Sequence, residues 1–476
     1  MRNSKLFYAL QSLDKYEQNR FQKFLQSPYF NRDPVIIDLF RVLCDYINEK
    51  LEEPIEKDTI WKTIILDKSY DDIRFRKYCS DLLKLLEDYL IQQAFDQNQI
   101  LKSSLLLESL NAKKLDRLYV SSLRTANTIL QQFPYQSADF YFNKYKLEKI
   151  SYDLNEYETK RDERSNVEEI SQNIDHFFLA EKLRISSAVL SQQNVAAHSY
   201  NLFMKDEVLD HIRNNYEYYK DIPPIALYYQ IYLTLAEDEN EAHYFKLKEL
   251  LDRFSLKFPT EEARDVLYLA AQNYCIRKSY QGNQKFLNEL FILYKDLLSK
   301  GIILAENQLS PWYFRNIITT GLRLKEYDWT ENFIKDFQSY LPSSFKDNAV
   351  NYSLAQVYFY QKKYDKVIQE LQNVEYEDVA YNLNSKTMLI ATYYEIDEIE
   401  PLFSILESFR TYLNRHKDIP EWRRKYYINL IKYTKKLTKI IPNDLKAVEK
   451  LKTEVESTQN IASIDWLKEK ITELSA

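Results

Sequence analysis

The chain has 476 residues, 45% of them hydrophobic, which is more than one core usually serves, so two or more domains or a repeat array are expected. Only 3 glycines and 12 prolines occur, where ordinary usage would place roughly 33 and roughly 24. Tight β-turns need glycine, so the scarcity argues against β-rich and α/β designs and favours helices joined by short loops. A formal charge of −6, from 65 basic and 71 acidic residues interspersed along the chain, gives no global attraction for nucleic acid or an anionic membrane.

Residues 1–95 read as a small helical domain. Asp14 and Glu17 have capping-box spacing and open a helix through Tyr16, Phe21, Phe24 and Leu25. Asp33-Pro34 supplies an N-cap and a first-turn proline for a helix carrying Ile36, Leu39, Phe40, Leu43 and Ile47. A short helix holds Ile60, Trp61, Ile64 and Ile65, and Asp71 or Asp72 starts a longer one with Phe75, Tyr78, Leu82, Leu86 and Tyr89.

Residues 96–222 form a region of long helical hairpins. One stripe runs from Leu115 to Phe133 and ends at Pro134, and a second spans Phe140 to Tyr157. A third begins at Ser165 with Glu168. The polar run 157–166 is the expected connector, and Pro223-Pro224 breaks the pattern.

From 223 to 441, helices of roughly 15 residues alternate with short breaks, and 442–476 read as C-terminal capping helices. Ser310-Pro311 and the Asp328/Glu331 pair are start signals. Tyrosine is abundant, at 40 residues; such side chains suit half-buried seams between stacked helices, where a ring packs and a hydroxyl stays wet.

An internal repeat stands out between 312 and 410. One unit runs from Asn351 through Leu354-Ala355 and Tyr358, then Tyr364 and Val367, then Leu371. The matching positions 35 residues later are Leu389, Tyr393, Ile399, Leu402 and Leu406; those 37 residues earlier are Ile317, Gly321, Tyr327, Thr330 and Ile334. A weaker echo appears at Tyr228-Tyr229 and Ala270-Ala271.

This pattern resembles the tetratricopeptide repeat. Leu354-Ala355, Tyr358 and Tyr364 match the family's helix–turn–helix signature, whereas Thr330, Val367 and Leu402 stand where it usually has alanine, which implies looser packing. The fold implied is all-α: a right-handed stack of helical hairpins, a tetratricopeptide-like α-solenoid, preceded by the small N-terminal helical domain. Phe21–Asn31 with Tyr70–Tyr89 also resembles the N-terminal part of uncharacterised bacterial proteins, a likeness that implies no activity.

In the family, inward-facing residues of the first helices line a concave surface that holds peptides, because a hairpin buries its apolar face only by stacking on neighbours. The corresponding residues here are Trp312, Arg315, Thr319, Tyr352, Gln356, Phe359, Tyr360, Asn384, Thr387, Ala391 and Tyr394. The family's carboxylate clamp needs Lys, Asn and Arg at set places. This chain has Arg315, Thr319, Ser353, Asn384 and Met388 there, so an aromatic, weakly charged groove is implied instead.

Catalytic and cofactor motifs are missing from the sequence. Gly282, Gly301 and Gly321 are too far apart for a phosphate-binding loop or a dinucleotide fingerprint, and the five histidines show no zinc-helix spacing. Cys44, Cys79 and Cys275 suggest neither a disulfide framework nor a zinc knuckle. The acidic stretch 237–241 lacks the ligand order of a calcium loop and reads as a solvated turn. With no apolar run long enough to span a membrane, a cytoplasmic setting is expected.

The leading expectation is therefore a non-catalytic scaffold for a protein or peptide, without a cofactor. Nucleic acid is the alternative partner. It would use the N-terminal helices with Arg74, Arg76 and Lys77, or the basic helix 423–439 with Lys425, Lys432, Lys436 and Lys439 on one face.

Overall fold

Several helices start at local signals that the chain itself supplies, among them side-chain caps at Asp14, Asp71 and Ser310. In the computed structural model, the described residues are 4–48, 56–66, 68–158, 165–193, 200–281, 283–372, 379–416, 419, 421–441, 444–458 and 460–474. They form an all-α structure, 81% helical with 1% strand. Among the described residues, no helix is long and apolar enough to cross a membrane. Contacts group the chain into two units, Met1–Leu179 and Ala180–Ala476. The division falls inside the helix Val167–Gln193. Ser187, late in that helix, donates to the Tyr228 carbonyl at 3.3 Å, which ties it to the segment opened by Pro223.

In the first unit, Asp14 accepts from the Tyr16 and Glu17 amides while Glu17 reaches back to the Asp14 amide, so the capping box forms and starts Lys15–Gln26. Asp33 caps Pro34–Asn48 through the Val35 amide, and Asp71 caps Asp72–Gln97 through that of Arg74. These helices enclose Phe21, Phe40, Trp61, Phe75 and Leu82, each no more than 2% exposed, with Phe21 edge-on to Phe40 at 5.0 Å. A second core, around Leu107, Ala126, Leu130 and Leu147, serves Gln99–Ala112, Asp116–Gln131 and Ala138–Glu158. The third stripe's helix begins at Val167, after Asn166, whose side chain instead binds Glu148. The expected connector lies largely on 159–164, outside the described residues.

The second unit lays helices down as neighbouring pairs, an order compatible with a helical-repeat solenoid. The pairs are Pro223–Ala236 with Glu241–Phe254, Leu269–Tyr280 with Gln284–Ser299, and Pro311–Arg323 with Tyr327–Phe337. Ser343–Tyr360 with Tyr364–Gln372, Val379–Glu395 with Ile399–Arg415, and Glu421–Leu437 with Leu445–Ser457 follow, and Ile464–Glu473 comes last. Pro223-Pro224 therefore opens a helix, because the first turn has no use for the missing amides. Ser310 caps the helix that begins at Pro311, whereas Asp328 lies inside a first turn whose N-cap is Glu326.

Three of these pairs turn in the same way. After Arg323, Tyr360 and Glu395 the chain passes through Lys325, Lys362 and Asp397, all left-handed, with φ of 63°, 58° and 56°. The next amides, of Glu326, Lys363 and Glu398, return to the carbonyls of Gly321, Tyr358 and Tyr393. This is the Schellman closure, here made without the customary glycine. It reproduces the 37- and 35-residue register of the sequence repeat. A short hairpin, Leu304–Ala305 with Gln308–Leu309, turns at Glu306 and Asn307, both left-handed; two-residue strands leave no alternation to detect.

Buried tyrosines connect the pairs. Tyr228, Tyr244 and Tyr268 are fully buried rather than half-buried, yet their hydroxyls reach carboxylates on other helices. Tyr228 donates to Glu262 at 2.5 Å, Tyr244 to Glu289 at 3.1 Å and Tyr268 to Asp296, while the less enclosed Tyr358 donates to Glu331 at 3.3 Å. Each pairing removes the penalty of burying an unmatched hydroxyl.

Candidate partner-binding groove

The first helices of two successive pairs frame a cavity of about 240 Å³. Ser343–Tyr360 contributes Tyr352, Gln356, Phe359 and Tyr360, a stripe at helical spacing, and Val379–Glu395 contributes Asn384, Thr387, Met388 and Ala391. Ser463 and Trp466 complete the wall from the C-terminal segment. None of these side chains carries a charge. The volume lies below the roughly 300–1,000 Å³ of common small-molecule sites, so the cavity suits one protruding side chain better than a cofactor.

Seven of the eleven residues expected on the inner face thus meet in one place: Tyr352, Gln356, Phe359, Tyr360, Asn384, Thr387 and Ala391. Tyr360, half exposed, stacks on Tyr327 of the preceding pair at 6.0 Å, and Phe359 stands edge-on to Tyr364 at 5.9 Å. Tyr394 lies beside the cavity, edge-on to Trp466 at 5.4 Å, and burial holds its hydroxyl above the usual phenol value. Trp312 and Arg315 are exposed on Pro311–Arg323 and do not line this cavity.

Sequence reasoning missed Glu395 and the far wall. The Glu395 carboxylate accepts from Trp466 Nε1 at 2.8 Å and from Lys470 Nζ at 3.0 Å. Lys470 is only 5% exposed and also binds Glu473 at 2.9 Å. Burial alone would lower the ammonium's pKa, but its bonds to Glu395 and Glu473 reverse that and leave it raised. The one local clue was Trp466 and Lys470 a turn apart on one amphipathic helix.

The remaining sequence features are absorbed by pairing. In the 237–241 turn, Asp238 binds Arg277 at 2.5 Å, Glu241 binds Lys285 at 2.6 Å and Glu237 meets His243 at 2.9 Å. The acidic turn is thus stitched to the next pair through Asp238 and Glu241, while Glu237 and Glu239 remain exposed to solvent. Among the described residues, no cluster of His, Cys, Asp and Glu could hold a metal. The basic helix ends at Leu437, which leaves Lys439 outside it. Its Lys425 pairs with Glu421 at 2.9 Å, while Lys435 and Lys436 pair with Glu407 and Glu454. Arg76 binds Asp72 at 2.8 Å. A second cavity, about 330 Å³ in the first unit, mixes Lys146 and Lys149 with Glu108, Asp153, Phe142 and Tyr145.

Compared with known proteins, the chain matches no family model, and no curated protein or solved structure matches it.

Proposed function

We propose that the chain is a non-catalytic scaffold whose second unit is a tetratricopeptide-like solenoid that holds a segment of a partner protein on its concave face. One observation carries this reading: side chains from consecutive first helices converge on a cavity with an uncharged, partly aromatic lining. Tyrosines such as Tyr352 and Tyr360 in such a place offer large contact area at low entropic cost, as binding hot spots do. An uncharged lining favours a partner side chain that is itself neutral, since an unpaired charge would lose its hydration there without compensation. The ion-paired lysines of Glu421–Leu437 favour this reading over one based on phosphate contacts.

The test is capture of partners from the native cell by the wild-type chain and by a Tyr352→Ala/Tyr360→Ala variant of equal helicity. Loss of the same partners from the variant supports the scaffold; identical recovery by both chains refutes it.

A further inference from the structure

We propose that the seat formed by Tyr394 and Glu395, beside the groove, recognises amphipathic helices bearing a tryptophan and a lysine one turn apart, and that the chain's own C-terminal helix is such a ligand held in cis. The inference rests on the scaffold reading and names the class of segment that the face accepts.

A helix that merely ended the stack would contact the pair before it. Ile464–Glu473 does so, with Leu467 and Ile471 buried in the core shared with Leu430 and Val455. It also reaches back past that pair, to Tyr394 and Glu395, over 71 positions of sequence. There its side chains behave as a bound peptide's would: the Trp466 ring stands edge-on to Tyr394 while its indole N–H and the Lys470 ammonium share the two oxygens of Glu395.

The segment leading into the helix is laid along Glu421–Leu437. The Ala462 amide donates to the Tyr426 carbonyl at 3.1 Å, and Asn429 donates to that of Asn460 at 3.2 Å. Asn460 and Ser463 both adopt left-handed backbone, which asparagine tolerates and serine seldom adopts, just before the helix begins. The cavity between Tyr352 and Trp466 then lies directly beside the seated helix. A partner helix of the same chemistry competes for the Glu395 seat.

The test uses the full chain and a fluorescein-labelled peptide of residues 460–474. In the wild type the tethered helix occupies its seat at an effective concentration in the millimolar range, so micromolar peptide produces no saturable polarisation change. Leu467→Glu places a charge at a fully buried position and vacates the seat, so this variant binds the peptide saturably. A peptide carrying Lys470→Glu binds at least about tenfold more weakly, because a charge-assisted bond is replaced by repulsion. Glu395→Lys added to the Leu467→Glu chain restores that peptide's binding.

Hydrogen exchange on the unmodified chain gives an independent reading. Amides of Ile464–Glu473 exchange by local opening, faster than those of Leu445–Ser457, and excess peptide accelerates them. No saturable binding by a Leu467→Glu chain that keeps its helical circular dichroism overturns the proposal. If that chain does not fold, exchange of both helices only through global unfolding overturns it instead. Should either occur while Tyr352→Ala/Tyr360→Ala still abolishes partner capture, the scaffold stands and the cis-ligand idea alone falls.

Discussion

The pair Pro311–Phe337 and the next, Ser343–Gln372, share a register and a turn but close their crossings differently. In the first, Gly321 faces Thr330 so closely that an added Cβ would lie 2.2 Å from the threonine hydroxyl oxygen. In the second, Tyr358 occupies the position of Gly321, and Val367, in the place of Thr330, packs with Ala355 and Tyr358. Bulk has moved by one turn: Ile318 and Gly321 in one pair correspond to Ala355 and Tyr358 in the other. A departure from the repeat signature on one helix is thus matched by its partner, and Thr330 is completely buried.

The comparison is broken most severely by Gly321→Ala, expected to lower stability by about 3 kcal/mol through overpacking. Urea unfolding measures the loss, and adding Thr330→Ala recovers most of it; additive losses would mean that the two residues do not meet. Val367→Ala probes the other crossing, where two lost methyls cost about 2 kcal/mol by the same assay, without any rescue by a change at Gly321.

The turns should respond alike. Lys325→Gly and Lys362→Gly each raise stability by about 0.5–1 kcal/mol, since relief of left-handed strain exceeds glycine's added chain entropy. A thermal midpoint that falls for either variant contradicts the Schellman assignment.

The smallest effect is confined to acid. Glu331, on the first pair, accepts from Lys335 at 2.6 Å and from Tyr358 of the second at 3.3 Å, and these bonds hold its carboxyl below the usual range. A depressed value means that its stabilisation is complete above the unfolded carboxylate's pKa, about 4.3, and is lost as pH falls through the lower folded value. Glu331→Gln should lower stability slightly at pH 8 and leave it nearly unchanged near pH 2, so that part of the stability–pH curve flattens, as thermal melts across pH 2–8 would register.

What could be read in the sequence was whatever is local. Asp14 with Glu17, Asp33-Pro34 and Ser310-Pro311 set helix starts through contacts within four residues, and periodic stripes assigned the buried faces. The turn that recurs at Lys325, Lys362 and Asp397 was hidden because it lacks the glycine that marks it elsewhere. Tyr352, Gln356, Phe359 and Tyr360 were legible as a group because one helix spaces them along one face. Trp466 and Glu395 were not, since nothing in either neighbourhood encodes a meeting across an intervening pair of helices. Charged segments were only partly legible for a related reason. The 237–241 turn is largely exposed as expected, but nothing near it in sequence announces that stacking brings Arg277 and Lys285 to Asp238 and Glu241.

The reach of Trp466 and Lys470 back to Glu395 has a consequence for how the terminal region comes apart. In an array coupled only between adjacent units, the outermost unit frays alone, and each loss leaves the rest intact. Here Glu421–Ser457 sits between a carboxylate on one side and its two donors on the other, so it cannot melt without severing both bonds. Release of Ile464–Glu473 therefore comes first, and Glu421–Ser457 melts only with it or after it.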